Sequence, residues 1–373
     1  MKVLAAMSGG VDSAVAAARA VEAGHEVSAV YLALHNNLAS TEMLDPTQRQ
    51  AGCGNPQDAA DAAANSEKIG IPFEQWDYAA EFSQIVIADF LAQYEAGYTP
   101  NPCIRCNQTV KFAVLFDYAR IRGFDAVLTG HYARTIAPQA ADGRADAAVP
   151  TQLWRGQAFE KDQSYVLAGL SQEMLAFSMF PLGDMPDKDA VRAEAAARGL
   201  AVANKPDSFD ICFIPDGDTQ GFLRTRLGER PGLVVDETGQ TVGEHRGAYA
   251  YTIGQRKGLG LGRPAADGRP RYVIDVNVKE NIVTVGPKEL LQTRKIWADQ
   301  PLWHATDIPC VDWIPAQVQV RAHGRPLAAQ VRIADGRLQV ELNEKLGALA
   351  RGQSVVVYRD DRVLGHGVIS KTE

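Results

Sequence analysis

The sequence predicts an α/β protein, in which a parallel-sheet domain is followed by a small central domain and a C-terminal antiparallel β-barrel. Short apolar strands alternate with helix-forming segments through the first half, which is typical of a parallel sheet covered by helices. Beyond residue 215, extended runs separated by glycines replace that alternation and indicate a small barrel or sandwich. The 373 residues also exceed one ordinary domain, at roughly 150 residues each. We therefore expect domains at residues 1–215, 216–285 and 286–373.

The elements of the first half follow from apolar runs and helix propensity. Residues 2–7 form a short apolar strand, and the alanine-rich residues 13–23 favour a helix that ends at Gly24. Residues 137–150 are rich in Ala, Asp, Gly and Pro and indicate an exposed loop. The remaining expected elements are strands at 26–34, 71–78 and 125–129 and helices at 58–69, 81–96 and 109–121.

The second half contains one expected helix, at residues 217–227, followed by strands. Apolar residues alternate or run continuously in these strands, with turn residues between them. The clearest of them are residues 318–322, 328–333, 338–342 and 355–358.

Composition and charge exclude several classes of protein. An apolar content of 46% excludes a mainly disordered chain, and no apolar run approaches the ~18 residues of a membrane-spanning helix. The N-terminal segment lacks the long apolar core of a secretory signal, so we expect a cytoplasmic protein. The net charge of −7 argues weakly against a nucleic-acid partner. It is uneven, because residues 1–215 hold 16 Lys and Arg against 26 Asp and Glu, whereas residues 216–373 hold 22 against 19.

A glycine-rich loop, Ser8-Gly9-Gly10-Val11-Asp12-Ser13, separates the first strand from the first helix. Its glycines allow a sharp turn, and the free N–H groups of the helix that follows point at an anion. The hydroxyls of Ser8 and Ser13 add hydrogen-bond donors, and Asp12 is suited to hold Mg²⁺. No Lys-Ser/Thr pair follows, which excludes the loop of the P-loop NTPases. A plain glycine turn is the alternative interpretation.

The pattern Ser-Gly-Gly-X-Asp-Ser after a first strand resembles the signature of the PP-loop ATP pyrophosphatases. This resemblance implies that the chain binds ATP, cleaves it between the α- and β-phosphates, and adenylates a carbonyl oxygen. The group includes GMP synthetase, argininosuccinate synthetase and several tRNA-thiolating enzymes. The loop alone does not choose among them.

Three cysteines are candidates for sulfur chemistry, because a thiolate is nucleophilic and can carry a persulfide. Cys103 and Cys106 lie in a predicted loop before a helix, near Arg105 and Lys111, where the pKa of a thiol should fall. Cys212 stands alone in Ile-Cys-Phe. The alternatives are half of a structural zinc site for the pair and a small buried apolar residue for Cys212. Cys53 and Cys310 are interpreted as structural or incidental.

Longer segments resemble the tRNA-uridine 2-sulfurtransferases of the MnmA/TrmU type, almost throughout the chain and in order. This family has a PP-loop adenylation domain, a small central domain and a C-terminal β-barrel. The resemblance implies that Cys106 is the nucleophile and that Cys212 carries the persulfide. It rests on residues 6–13, 97–107, 111–112, 129–132, 161–165, 207–208, 211–214 and 254–260.

The same resemblance implies the ligand-binding residues. For ATP they are Ala6, Met7, Ser8, Gly9, Gly10, Val11, Asp12, Ser13, Leu32 and Gly130, and for tRNA they are Asn101, Pro102, Cys103, His131, Lys161, Asp162, Gln163, Arg321, Ala322 and Gln353.

Plainer structural roles compete with some of these assignments. His131 could be a structural histidine whose hydrogen bonds are satisfied within the protein, Asp162 a helix N-cap, and the basic loop at residues 254–260 a solvated turn.

The chain also departs from the family at two places. Cys103 stands where many members have Asp, so Cys103, Cys106 and Cys212 are possible ligands of a [4Fe–4S] cluster. Arg321-Ala322-His323 replaces the usual Arg-Tyr-Arg, which removes an aromatic residue from a base-stacking position.

The sequence therefore predicts ATP-dependent 2-thiolation of the wobble uridine of tRNA, with Mg²⁺, giving 2-thiouridine, AMP and pyrophosphate. By resemblance the substrates are tRNAs with Lys, Glu and Gln anticodons, and a cysteine desulfurase or sulfur-relay protein supplies sulfur. Two alternatives stay open: a PP-loop ligase that amidates a small molecule, and a non-catalytic tRNA-binding protein. A ligase needs an ammonia source, for which no glutaminase-like domain is found, and the intact loop disfavours a non-catalytic protein.

Overall fold

The structure, a computed structural model, describes residues 1–34, 56–137, 149–206, 211–214, 216–261 and 267–373. Most of the expected loop at 137–150, and Cys53, lie outside the described residues. Within the described residues, no helix is both long enough and apolar enough to cross a membrane.

The N-terminal domain is built on a five-stranded parallel sheet. The first seven strands of the chain are β1 (Lys2–Ala6), β2 (Glu26–Ala33), β3 (Phe73–Asp77), β4 (Ala126–Leu128), β5 (Ala133–Ile136), β6 (Gln152–Arg155) and β7 (Ser178–Met179). The parallel sheet has the order β3-β2-β1-β4-β7. Its order reverses between β1 and β4, which is where parallel α/β sheets place their ligand sites. The α/β fold class is thus confirmed.

Helices cover both faces of this sheet. Alanines on the first helix pack closely on the buried strand β1, which explains the alanine-rich sequence after the glycine loop. The helices are α1 (Val11–Glu22), α2 (Pro56–Ile69), α3 (Ala79–Phe82), α4 (Ala88–Glu95), α5 (Pro102–Cys106), α6 (Phe112–Ile121), α7 (Ser164–Leu167), α8 (Gln172–Ala176) and α9 (Lys188–Ala197).

Two short π-helical turns interrupt these helices. Ser83–Ile87 joins α3 to α4, and Asn107–Lys111 joins α5 to α6. The helix expected from residue 109 therefore begins at Pro102, and the prediction that Cys103 and Cys106 lie in a loop is wrong. The physical reason is local: Pro102 occupies the first helical position, and the Asn101 side chain accepts from the N–H groups of Cys103 and Ile104.

The central domain is a helix and a four-stranded sheet. It comprises α10 (Thr219–Leu227), β8 (Gly232–Val235), β9 (Thr241–His245), β10 (Tyr272–Asn277) and β11 (Ile282–Gly286). The strand order is β10-β11-β8-β9, and only the β11–β8 pair is parallel. The domain has its own apolar core.

The C-terminal domain is a closed six-stranded antiparallel barrel. Its strands are β12 (Gln292–Trp303), β13 (Ile314–Gln319), β14 (Leu327–Ala334), β15 (Arg337–Gly347), β16 (Ser354–Arg359) and β17 (Arg362–Thr372). Pairing of β12 with β17 closes the barrel, and the predicted barrel is confirmed. Strand β17 escaped prediction because glycines and a histidine interrupt its apolar pattern.

The N-terminal domain also contributes two strands to the barrel sheet. Strands β5 and β6 form a hairpin, and Trp154 of β6 pairs with Arg362 of β17. The backbone N–H of Arg155 donates to the carbonyl of Asp361 over 2.8 Å. The barrel and the N-terminal domain are therefore joined through backbone as well as side chains.

Two buried histidines at this junction predict a loss of stability in acid. His304 directly follows β12, His366 lies on β17, and both are buried. The Nε2 of His304 is 2.8 Å from the carbonyl oxygen of Ala168 in the N-terminal domain. Burial lowers the pKa of both imidazoles, that of His366 to about 4, where His304 adds to the effect.

As pH falls below about 6.5, the two imidazoles therefore take up protons in the unfolded chain before they do so in the folded protein, and the unfolded state is favoured. We expect His366 to contribute a stability loss of about 1.4 kcal/mol per pH unit between pH 6.5 and 4. Urea unfolding at pH 7 and pH 5 measures it. His366→Gln should flatten the difference, and the exposed His323→Gln should not. Equal pH dependence in the wild type and His366→Gln would contradict the assignment.

Candidate active site

A cavity of about 560 Å³ opens at the carboxyl ends of β1, β2 and β4. It lies at the point where the strand order reverses, so the loops after these strands form its wall. Nine of the ten residues predicted to bind ATP line it: Ala6, Met7, Ser8, Gly10, Val11, Asp12, Ser13, Leu32 and Gly130.

Glycine is required at two positions because backbone segments touch there. Gly9 has a φ of +73°, and a Cβ on it would lie 2.2 Å from the carbonyl oxygen of Asp58. A Cβ on Gly130 would lie 2.7 Å from the backbone nitrogen of Ser13. Because Gly130 has no side chain, the loop after β4 can pack directly against the glycine loop at the start of α1. The resulting concave wall carries the first N–H groups of α1.

Hydrogen bonds within the loop hold its two serines together. The Ser8 and Ser13 hydroxyl oxygens are 3.1 Å apart, and the backbone N–H of Ser8 donates to the Ser13 oxygen over 3.1 Å. The Ser13 hydroxyl lies 3.1 Å from the carbonyl oxygen of Gly10. This network fixes the loop as a turn at the N-terminus of α1, a position whose free N–H groups are suited to an anion.

Asp12 is held by two partners that the sequence did not connect with it. The hydroxyl of Tyr132 donates to one carboxylate oxygen over 2.7 Å, and the ammonium of Lys188 donates to the other over 2.6 Å. Lys188 begins α9, 176 residues after Asp12. No motif in the sequence marked this lysine, because only the folded chain brings it to the cavity.

Lys205 is a second cavity lysine that sequence reasoning missed. Its ammonium donates to the carbonyl of Gly9 over 2.9 Å, to Asp58 over 2.6 Å and to Asp61 over 2.5 Å. Burial disfavours the charged amine, but the hydrogen bonds and charges of the two aspartates outweigh it and raise the pKa of Lys205. Three donors with three acceptors fix the glycine loop to α2.

Removing the Lys205 ammonium is expected to impair nucleotide binding more than folding. In Lys205→Met the carbonyl of Gly9 loses its partner, so the loop no longer holds one conformation, and we expect the KM for ATP to rise about tenfold. Lys205→Arg should recover part of the effect, and Lys68→Met, an exposed lysine on α2, is the matched control. Steady-state pyrophosphate release measures it. An unchanged KM in Lys205→Met would contradict the role.

His131, Lys161 and Gln163, three of the predicted tRNA-binding residues, also line the cavity. Burial, with the nearby Lys111 ammonium, lowers the pKa of His131 to about 3, so the ring is neutral near pH 7. Its Nδ1 lies 2.8 Å from the hydroxyl of Thr129. The Gln163 side-chain oxygen accepts from the backbone N–H of Tyr132 over 3.0 Å. All three residues therefore border the cavity of the glycine loop.

The fold packs Cys106 and Cys212 against one apolar cluster. Cys106 is buried at the end of α5, and Cys212 is half-buried on the segment 211–214. The ring of Phe213 anchors that segment, with its centroid 5.9 Å from Phe82 and 5.1 Å from Phe90. The cluster includes Leu34 at the end of β2, which also lines the cavity. Leu34 therefore connects the cluster that holds the two cysteines with the wall of the cavity.

The other cysteines are placed differently. Cys103 is exposed, and Cys310 is buried in the barrel, where burial raises the pKa of its thiol to about 11. Among the residues that the structure describes, no group of three or more His, Cys, Asp or Glu side chains could hold a metal ion. The structure therefore lends no support to Cys103, Cys106 and Cys212 as possible ligands of a [4Fe–4S] cluster, and that cluster stays a prediction for iron and sulfide analysis to test.

Asp162 is buried rather than available to tRNA. Its side chain is 3% exposed, and Oδ2 is 2.7 Å from the Arg155 guanidinium, itself 3% exposed. Its other oxygen accepts from the backbone N–H groups of Gly156 and Ser164 over 3.0 and 3.1 Å. Its carboxylate therefore serves Arg155 and the backbone, and its predicted contact with tRNA stays a prediction. Asp162 is not the N-cap of α7, whose cap position is Gln163.

The remaining predicted tRNA-binding residues lie where the barrel meets α5. Asn101 caps α5 and Pro102 is buried. Arg321 is exposed and donates to the carbonyl of Ala348 over 2.6 Å, with Ala322 half-buried beside it. The side-chain amide of Gln353 donates to the carbonyl of Thr99 over 2.7 Å. Of this group, the exposed Arg321 guanidinium and Cys103 thiol face solvent.

Family comparisons match the chain in three consecutive parts. Models described as "tRNA methyl transferase HUP domain", "tRNA methyl transferase PRC-barrel domain" and "Aminomethyltransferase beta-barrel domain" match residues 1–216, 220–287 and 293–369. These three parts correspond to the sheet domain, the central domain and the barrel described above.

Relatives of similar length are named tRNA-specific 2-thiouridylase MnmA. One from Beutenbergia cavernae is 54% identical, over 100% of this chain and 95% of its own length. One from Leifsonia xyli subsp. xyli is 51% identical, over 100% of this chain and 98% of its own. One from Streptomyces avermitilis is 51% identical, over 100% and 95%.

Proposed function

The chain belongs to the MnmA family of tRNA-specific 2-thiouridylases, and we propose that it catalyses ATP-dependent 2-thiolation of the wobble uridine of tRNA. The observation that carries the mechanism is the position of Leu34. This residue lines the cavity of the glycine loop and also belongs to the apolar cluster against which Cys106 and Cys212 pack. The proposed adenylating site and the proposed two-thiol site therefore meet at this one residue, directly after β2.

The first step is activation of the uridine carbonyl. The N–H groups at the start of α1 and the hydroxyls of Ser8 and Ser13 bind the triphosphate of ATP. The C2 oxygen of uridine attacks the α-phosphorus, pyrophosphate leaves, and the C2 oxygen carries AMP. This step replaces a poor leaving group, oxide, with AMP.

Mg²⁺ fits this site as a partner of the nucleotide rather than as a resident ion. Asp12 offers the one loop carboxylate to the cavity, and the phosphates would supply most of the remaining oxygens. When bound, Mg²⁺ neutralises phosphate charge. Lys188 holds Asp12 in the nucleotide-free chain, so it positions this carboxylate and supplies a second positive charge beside the phosphates.

The second step is sulfur transfer between the cysteines. The terminal sulfur of a Cys212 persulfide attacks C2, AMP leaves, and the sulfur then joins C2 to the Sγ of Cys212. The Cys106 thiolate attacks that Sγ, which releases the C2 sulfur as 2-thiouridine and leaves a Cys106–Cys212 disulfide. A dithiol reductant resets the disulfide, and a cysteine desulfurase or sulfur-relay protein reloads Cys212.

Substrate tRNA would approach across the mouth of the cavity. Lys161 of the N-terminal domain and His323 of the barrel both line this cavity, and Arg321 lies two residues before His323. Lys and Arg contacts to phosphate dominate the affinity of proteins for RNA backbones, so a net charge of −7 does not oppose this interface. By family resemblance the tRNAs carry Lys, Glu and Gln anticodons, and the reaction takes place in the cytoplasm.

Nucleoside mass spectrometry tests the proposal. Unthiolated tRNA is incubated anaerobically with the protein, ATP, Mg²⁺ and a persulfide-generating desulfurase. We expect 2-thiouridine that disappears when ATP is omitted. The mass change separates replacement of oxygen by sulfur from addition of a methyl group.

The two alternatives give different results in the same experiment. ATP cleaved to AMP without thiouridine would indicate a PP-loop ligase that acts on another acceptor. Binding of tRNA without any AMP release would indicate a non-catalytic tRNA-binding protein. Either result would overturn the proposed function.

A further inference from the structure

Both downstream domains meet the N-terminal domain at one short segment, residues 97–100, directly before α5. From the central domain, the hydroxyl of Thr252 accepts from the hydroxyl of Thr99 over 3.1 Å. From the barrel, the carbonyl of Arg351 accepts from the backbone N–H of Thr99 over 2.7 Å. This segment leads into the Asn101 cap and the helix that carries Cys106.

Gln353 makes the most direct side-chain contact with this segment. Its amide group donates to the carbonyl oxygen of Thr99 over 2.7 Å and lies 3.4 Å from that of Pro100. These are the last two carbonyls before the cap residue Asn101. A donor on the barrel therefore fixes the direction in which the chain enters α5.

Close backbone packing supports the same contact. Gly352 has a φ of +89°, and a Cβ on it would lie 2.9 Å from the Cβ of Tyr98 and 3.0 Å from the backbone nitrogen of Thr99. The barrel loop can approach this closely only because residue 352 is glycine. Because α5 continues through the turn Asn107–Lys111 into α6, the residues before Asn101 form its one free end, and contacts there fix how the chain enters the helix.

We propose that Gln353 is a positioning residue that holds α5, and with it the Cys106 thiol, in place for sulfur transfer. The barrel then influences sulfur transfer through its contacts with Thr99 and Pro100, in addition to offering a surface for RNA. This inference rests on the proposed role of Cys106. It differs from the sequence expectation for Gln353, which was contact with tRNA.

The test measures the reactivity of Cys106 directly. Reduced protein, without ATP or tRNA, is treated with N-ethylmaleimide, and alkylation of each cysteine is followed by mass spectrometry. Gln353→Met keeps the length of the side chain and removes its donors. We expect Cys106 to react about five- to tenfold faster, since loss of one hydrogen bond makes local opening easier. Alkylation of Cys310, buried in the barrel, should not change and reports global unfolding.

A second variant and a matched control separate positioning from tRNA contact. Gly352→Ala should also accelerate alkylation of Cys106, because its Cβ displaces residues 98–99. In Gln353→Met, thiolation should slow while the Kd for tRNA stays within about twofold. Arg321→Met should weaken tRNA binding and leave Cys106 alkylation unchanged.

Two results would overturn the inference. One is an unchanged alkylation rate of Cys106 in both Gln353→Met and Gly352→Ala. The other is weaker tRNA binding in Gln353→Met with no change at Cys106, which would make Gln353 an RNA contact. Absence of 2-thiouridine from the wild-type protein would instead overturn the proposed function, and the alkylation result would stand apart from it.

Discussion

Replacing either Cys106 or Cys212 by serine is expected to abolish 2-thiouridine formation, with a loss of at least about 1,000-fold. Serine nearly preserves the size of the side chain, but its oxygen cannot carry a persulfide or exchange a disulfide. Both residues pack against one apolar cluster, so each substitution removes one half of the proposed thiol pair. Nucleoside mass spectrometry of the reacted tRNA measures the product.

Adenylation should survive in these variants, since the glycine loop and its lysines are not altered. We expect tRNA-dependent release of pyrophosphate to stay within a few-fold of the wild type in Cys106→Ser and Cys212→Ser. Cys310→Ser is the matched control, because Cys310 is buried in the barrel and has no part in the proposed sulfur transfer. It should retain most thiolation. Near-normal 2-thiouridine from either Cys106→Ser or Cys212→Ser would overturn the assignment of roles.

Features whose conformation depends only on adjacent residues could be predicted from the sequence. The turn formed by Gly9 and Gly10 and the helix that follows are contiguous, and their conformations depend on local glycine freedom and helix propensity. The alternation of strands and helices likewise indicated the parallel sheet, and the glycine-punctuated runs indicated the barrel. The start of α5 was missed although its signal, Asn101-Pro102, is a common helix beginning.

Contacts between residues that are far apart in the sequence could not be predicted from local patterns. Lys188 and Lys205 reach the glycine loop from 176 and 196 residues away, and no local pattern distinguishes them from surface lysines. The β5–β6 hairpin joins the barrel sheet across a similar separation. Gln353 donates to a backbone carbonyl 254 residues earlier, and a backbone acceptor has no sequence signature. Each of these contacts depends on the relative placement of whole domains.

The Arg155–Asp162 pair is expected to have the largest effect on stability. Both side chains are 3% exposed, and the guanidinium also lies 3.6 Å from the ring centroid of Tyr358 in the barrel. In Asp162→Ala the charge of Arg155 stays buried without its carboxylate, and two backbone N–H groups lose their acceptor. We expect a loss of about 3–5 kcal/mol in the free energy of unfolding, measured in urea at pH 7.

The neighbouring residue provides the control that separates stability from function. Lys161 lines the cavity, so Lys161→Ala should reduce thiolation and tRNA binding with little change in the free energy of unfolding. The double variant Arg155→Met/Asp162→Ala should recover part of the stability lost in Asp162→Ala, because no uncompensated charge then remains buried. If Asp162→Ala instead unfolded at the same urea concentration as the wild type but bound tRNA more weakly, Asp162 would be a tRNA contact after all.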